Sequence, residues 1–401
     1  MCTPMSYDDV AWERSDDVFD AWKHKIYRND VLQAIGRFVQ KHRGGVAIKL
    51  CNPLRGSFKV CIKAEFSDGG AAMIRIPCPG VVIFPEEKVK REVATMRYVQ
   101  ENTSIPVPLI LHYGMADECP YNLGPFIIME YVKHAYDLTE LFKEQGSTGD
   151  TMAIDPNITE EKLSLETREF EYSVSERAMT LNTNELVQLG NFPPSQLRSQ
   201  TFNSSDSYLQ ALSDTHITYL STQHNDAIKS AEDCRGRYIA RHLFRKLATE
   251  HQLTSGDDKS FKLFCDDLGP HNVLVDAEFK VVAVIDWEFA YSAPSKFSQT
   301  PPWWLLIQMP EQISILPVLP HFMRETILLS SPSIDERFFG PRDSFEGRVA
   351  LLDERDSEGI DAFVQRKLEE QERRILIDWD VDGVASTDNE VASAKAYVLV
   401  D

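Results

Sequence analysis

The stretch FCDDLGPHNVLVDAEFKVVAVIDWEFA, Phe264 to Ala290, constrains this 401-residue chain more than any other. Asp267 is followed five residues later by Asn272. Two short apolar runs, Asn272 to Val275 and Val281 to Ile285, flank a tight turn, and Asp286 closes the second. Runs of this length split by a turn read as paired strands. Their pairing folds Asp286 back beside Asn272, while the Leu268-Gly269-Pro270-His271 loop sets Asp267 and Asn272 on opposite sides of one small group. Two carboxylates and an amide oxygen so gathered have the parts that phosphoryl transfer requires. One carboxylate orients an acceptor hydroxyl, and the second, with the amide oxygen, holds Mg²⁺ against phosphate oxygens.

The remaining chain sorts into a β-rich first third and a helix-rich remainder, an α+β pattern. Residues 8 to 43 read as helical, with Trp12, Val18, Trp22, Val31, Ile35 and Phe38 at helical intervals. Phe58, Val60, Ile62, Ala64 and Phe66 then alternate with Lys59, Cys61, Lys63 and Glu65, which predicts a strand with one wet face. Ser67-Asp68-Gly69-Gly70 turns the chain into a return strand, Ala71 to Ile76, giving a hairpin over 57–76. Glu86 to Glu101 is again helical, with Val89, Val93, Met96 and Val99 as its stripe. Glu92 lies at the edge of that stripe, where a carboxylate needs a reason or a partner. Phe126 to Val132 reads as a buried strand. Residues 143–207 read as polar loops around one or two short helices, 206–252 as helical and 303–378 as mainly helix.

On these residues the chain resembles the aminoglycoside phosphotransferase family, particularly its filamentous-fungal branch. The family's H-G-D-x-x-x-x-N loop looks like Cys265-Asp266-Asp267-Leu268-Gly269-Pro270-His271-Asn272, and its metal motif looks like Ile285-Asp286-Trp287. Leu54-Arg55-Gly56-Ser57-Phe58 sits where the family has a short glycine loop, and Pro301-Pro302-Trp303-Trp304 resembles a segment that follows the metal motif in fungal members. The likeness covers roughly 45–133 and 208–310. It implies a bilobal protein-kinase-like fold, with a small β-rich N-lobe over 1–132 and a larger helical C-lobe over 133–401. It implies ATP and Mg²⁺ as cofactors and a small-molecule hydroxyl as acceptor. Asp267 would be the catalytic base or orienter, and Asn272 and Asp286 the magnesium ligands. Gly56 and Ser57 would cover the phosphates, Arg75 would pair with Glu92 and grip the α- and β-phosphates, and Met129, Glu130 and Tyr131 would receive adenine. The chain departs from the family pattern twice: Cys265 replaces the loop histidine, and Arg75 replaces a lysine whose point charge it does not duplicate.

A net charge of -20 argues against a nucleic-acid surface, which needs a basic footprint. Seven cysteines, with no C-x-x-C and no histidine at zinc-ligand spacing, read as reduced thiols. The acidic N-terminus is not a signal peptide, and Pro301 to Pro320 is too polar for a membrane span, so a cytoplasmic protein is expected. Asp266 reads as a loop carboxylate, His271 as a packing or solvent-facing residue and Cys265 as a buried thiol. The competing function is a kinase-like nucleotide-binding module without turnover, favoured by Cys265, Arg75 and the polar 143–207 segment. A protein kinase fits less well, since the chain has no Asp-Phe-Gly and no recognisable activation segment ending in Ala-Pro-Glu.

Overall fold

A computed structural model describes residues 8–144, 180–199, 201–225, 228–250, 260–299 and 345–378. The chain enters through a cap. The Asp8 carboxylate accepts from the N–H groups of Val10 and Ala11 and starts α1, Asp9–Ile26. Tyr27 and Arg28 interrupt the helical run, and α2, Asn29–Arg43, ends at Gly44, whose φ of 78° suits a residue without a Cβ. Next come β1 (Ala47–Leu50), β2 (Leu54–Arg55), β3 (Lys59–Phe66), β4 (Ala71–Pro77), α3 (Pro85–Asn102), β5 (Ile110–Gly114) and β6 (Phe126–Glu130). They form one antiparallel sheet in the order β1-β3-β4-β6-β5, with β2 also paired to β3.

Both faces of this sheet are covered. Val60, Ile62, Ala64, Phe66, Ala72, Ile74, Ile76, Phe126 and Ile128 point to one face, against Phe19, Trp22 and Ile26 of α1 and Val31, Ile35 and Val39 of α2. On the other face Met73, Ile127 and Met129 meet Val89, Val93, Met96 and Val99 of α3 together with Val284, Trp287 and Ala290. The face expected to be wet on β3 is half-buried, and at its start Lys59 meets Asp286 and Glu288 of the late segment. The stripe of α1 also differs from expectation. Ala11, Ser15, Phe19, Trp22 and Ile26 are buried, while Trp12 turns outward and is 46% exposed, its indole N–H donating to Asp16.

The later described elements are β7 (Tyr136–Asp137), α4 (Leu138–Glu144), α5 (Leu181–Gln188), α6 (Ser205–Thr222), α7 (Ala231–Thr249), β8 (Phe261–Cys265), β9 (Val273–Val275), β10 (Val281–Val284), β11 (Ala290–Pro294), α8 (Phe345–Val349), α9 (Glu354–Glu358) and α10 (Ile360–Arg373). The helical run expected over 206–252 is two helices, broken where Ser230 caps α7. Leu220, Ile239, Leu243, Ile360 and Val364 join α6, α7 and α10 in a second core. Strands β10, β9 and β7 make a three-stranded sheet, and β8 pairs with β11. Residues 145–179 and 301–344, including Trp303 and Trp304, lie outside the described residues. Among the described residues the cysteines are free thiols, and no helix is long and apolar enough to cross a membrane.

Asp8 also ties α1 to the later helices. Its backbone N–H donates to Leu189, and its two carboxylate oxygens accept from the Asn225 side-chain amide at 2.7 and 2.8 Å. Asp8→Ala removes a cap and takes from the Asn225 amide its two shorter acceptor contacts, leaving the Ile375 carbonyl at 3.3 Å. It should cost about 2–3 kcal/mol of unfolding free energy, read as a lower urea midpoint with unchanged slope.

Candidate functional site

Strand register builds the site. On β9 and β10, Val273 pairs with Val284, and the Ile285 N–H donates to the Asn272 carbonyl at 2.9 Å, so Asp286 follows directly beside Asn272. Asn272 itself is not in a strand: it ends a 3₁₀ turn, Pro270–Asn272, that leads into β9. On β8 and β11, Cys265 pairs with Ala290, which brings the Asp266-Asp267 loop against residues 286–290. The Asn272 side-chain N–H donates to the Asp267 carbonyl at 2.7 Å, which ties the two ends of the loop together. Asp286 adopts φ 72°, the left-handed region, which a non-glycine residue occupies at a cost that surrounding contacts must meet.

Asp267, Asp286 and Glu288 each place a carboxylate oxygen within 4.8 Å of the others. Three cations from the sheet and α3 surround them. Lys59, the first residue of β3, contacts Asp286 and donates to Glu288 at 2.8 Å. Arg75 of β4 lies 2.7 Å from Glu92 and 3.0 Å from Asp286. Lys88 of α3 lies 2.6 Å from Glu288, with its ammonium over the rings of Phe58 and Phe289. The antiparallel register explains the grouping. Cys61 is opposite Arg75 and Lys59 is opposite Pro77, so Lys59 and Arg75 emerge from the same face of the hairpin.

The two aspartates are set apart electrostatically. Burial works to raise Asp286, but Lys59 and Arg75 outweigh it and hold the carboxyl below the usual carboxylate range. Burial, with Asp286 and Glu288 nearby, pushes Asp267 up to about 7. Burial also pulls Lys88 below an ordinary lysine, against the attraction of Glu288.

Of the residues named from sequence, Asp267, Asn272, Asp286, Arg75 and Glu92 thus come together. Glu92 has the partner its position demanded. Gly56 and Ser57 form an exposed turn just before Lys59, closed by the Gly56 N–H on the Lys59 carbonyl at 2.8 Å. Met129 packs in the same apolar cluster as Leu268. Glu130 and Tyr131 line a hollow of about 540 Å³ with Arg43, Asp68 and Leu111, at the end of the sheet next to α2. Asp266 accepts from the Tyr291 hydroxyl at 3.0 Å and anchors the loop, and His271 is exposed. Burial pushes the Cys265 thiol well above its ordinary value. Lys59, Lys88 and Glu288 received no role from sequence. Two signals were present: Lys88 and Glu92 are four apart on one helical face beside an apolar stripe, and Glu288 is two residues from Asp286.

No protein-family model matches the chain, and no curated protein matches it. Among solved structures the chain is similar to the apoenzyme of a macrolide 2'-phosphotransferase from Brachybacterium faecium. That likeness has 13% identity and a TM-score of 0.38 and covers 86% of this chain and 96% of the other. A type I macrolide 2'-phosphotransferase matches at 13% identity and a TM-score of 0.34, with the same coverage of 86% and 96%. The AMP-bound complex of a spectinomycin phosphotransferase matches at 11% identity and a TM-score of 0.32, over 65% of this chain and 71% of the other.

Glu288 is 4% exposed and counters the buried Lys88 and the half-buried Lys59 ammonium groups. Glu288→Gln strands Lys88 and should destabilise the protein by about 3–5 kcal/mol. Adding Lys88→Met should recover most of that loss, and a urea-denaturation double-mutant cycle measures the coupling.

Proposed function

We propose that the chain is an ATP- and Mg²⁺-dependent phosphotransferase of the aminoglycoside phosphotransferase kind, acting on a hydroxyl of a small molecule. With it go a bilobal kinase-like fold, an N-lobe over 1–132 joined by a hinge near Glu130 to a C-lobe over 133–401, and a cytoplasmic location. The convergence of Asp267, Asp286 and Glu288 within 4.8 Å, beside Asn272 and ringed by Lys59, Arg75 and Lys88, carries it. The donor set suits magnesium: every candidate ligand atom is a hard oxygen, and cationic ammonium and guanidinium groups already contact two of the carboxylates. Asp286, Asn272 and Glu288 would hold the ion, which supplies charge neutralisation on the phosphate oxygens.

Asp267 supplies the base. Its raised proton affinity lets it take the acceptor's proton at neutral pH, as the acceptor oxygen bonds to the γ-phosphorus and the bond to the bridging oxygen breaks, releasing ADP. Arg75 and Lys59 would present positive charge from the hairpin to a bound triphosphate, Arg75 gripping its α- and β-phosphates, and the Gly56-Ser57 turn would cover it. Met129, Glu130 and Tyr131, at the end of β6, are the adenine-side residues in this scheme.

The test is ATP consumption against a panel of hydroxylated small molecules, with and without Mg²⁺. Asp267→Asn should reduce turnover by about 10²–10⁴-fold while leaving ATP affinity in place. Turnover that survives this change, or that persists after magnesium is chelated, contradicts the assignment. ATP binding without turnover on any acceptor would point instead to a nucleotide-binding module.

The pH dependence has a definite sign. Asp267 acts only when ionised and its value is raised to about 7, so kcat/KM should rise as pH increases through about 7 and level off above it. The same upward shift means that ionising Asp267 in the folded protein opposes folding. Asp267→Asn should therefore raise Tm more at pH 8 than at pH 5, measured without metal by calorimetry.

A further inference from the structure

Three cations face the carboxylates, and they are not held alike. Arg75 sits mid-strand in β4 and divides its fork between Glu92 and Asp286. Lys88 rises from α3 and is packed against the Phe58 and Phe289 rings, with its side chain 1% exposed. Lys59 stands at the very start of β3, directly after the exposed Gly56-Ser57 turn, and its side chain is 12% exposed. Its flexible four-carbon stem carries a compact charge that can move without the sheet moving.

Lys59 also occupies the place of greatest consequence. Its ammonium contacts Asp286 Oδ1 and lies 2.8 Å from Glu288 Oε1, bridging two of the three carboxylates that gather within 4.8 Å. A divalent cation needs those same oxygens at about 2.0–2.1 Å. It cannot share them with a second buried cation at such range without strong repulsion.

We propose that Lys59 is a tethered stand-in for the metal, which makes the site bind a divalent cation weakly by itself and tightly only together with a triphosphate. The triphosphate is the anion that gives the displaced ammonium a new partner, so Lys59 becomes a nucleotide-binding residue as it leaves the carboxylates. Selection for the metal–triphosphate complex over either component follows, since each displaces Lys59 from the self-paired state more readily when the other is bound. This inference rests on the proposed role of Asp286 and Glu288 as metal ligands.

The experiment titrates Mn²⁺ into the full chain, following the free-ion electron paramagnetic resonance signal, with and without a non-hydrolysable ATP analogue, and subtracts the Mn²⁺ that the analogue alone binds. Wild type, Lys59→Met and Lys59→Arg are compared, and circular dichroism reports their folding. In the absence of nucleotide, Lys59→Met should bind Mn²⁺ about tenfold or more tighter than wild type, and Lys59→Arg should stay close to wild type. The tightening of Mn²⁺ by the analogue should shrink about tenfold or more in Lys59→Met. Equal Mn²⁺ affinity in wild type and Lys59→Met overturns the role of Lys59 and leaves the phosphotransferase assignment standing. No Mn²⁺ binding by either protein, with or without the analogue, overturns both. If Lys59→Met does not fold, Lys59→Gln, which keeps a polar end without charge, serves in the same comparison.

Discussion

A buried network of opposite charges joins three parts of this chain that are far apart in sequence. Lys59 and Arg75 come from the first hairpin, Lys88 and Glu92 from α3, and Asp286 and Glu288 from the segment after β10. Each group is largely removed from water, and each would be costly alone. The network therefore holds together only if the sheet, the helix and the late loop dock in one arrangement. The apolar contacts beside it, Met73 and Met129 with Val93, Met96 and Trp287, favour the same docking without specifying it, because hydrophobic burial is not directional. The charges supply the register.

The same burial that makes the network costly sets the two aspartates apart in proton affinity. Asp286 has two cations within contact and stays ionised. Asp267 has carboxylate neighbours and only more distant cations, so it keeps a proton to about neutral pH. Two like side chains held in one place but in unlike surroundings thus come to differ in their hold on a proton. The left-handed backbone at Asp286 aims its carboxylate at Lys59 and Arg75, and the Asn272–Ile285 hydrogen bond steadies the turn next to it.

Behind the sheet, α1 and α2 cover the face away from the charges. Phe19, Trp22, Val31 and Ile35 fill it, and the Trp22 indole N–H donates to the Leu123 carbonyl at 2.7 Å. Asp8 links this cover to α5 and to Asn225 after α6, so the helices that back the sheet are braced against the later part of the chain. The strand face that carries Lys59 and Arg75 is thereby supported from behind.

The local elements were written in the residues themselves. The alternation of Val60, Ile62, Ala64 and Phe66 with a glycine turn after them gives a hairpin wherever it is placed, and the stripe of Val89, Val93, Met96 and Val99 gives a helix, because both depend on neighbours in sequence. Asp267, Asn272 and Asp286 could be singled out for the same reason: a short loop and one tight strand pair set their separation. Lys59, Lys88 and Glu288 could not. Lys59 looked like one more residue on a wet face, and it became a site residue only because distant carboxylates were packed against that face. The exposure of Trp12, which its spacing placed inward, was likewise settled by which side of α1 met the sheet. Sequence determined periodicity, turns and the nearest-neighbour geometry of the acids. Tertiary structure decided which charges lost their water, since desolvation depends on everything that surrounds a group and not on the residues beside it in the chain.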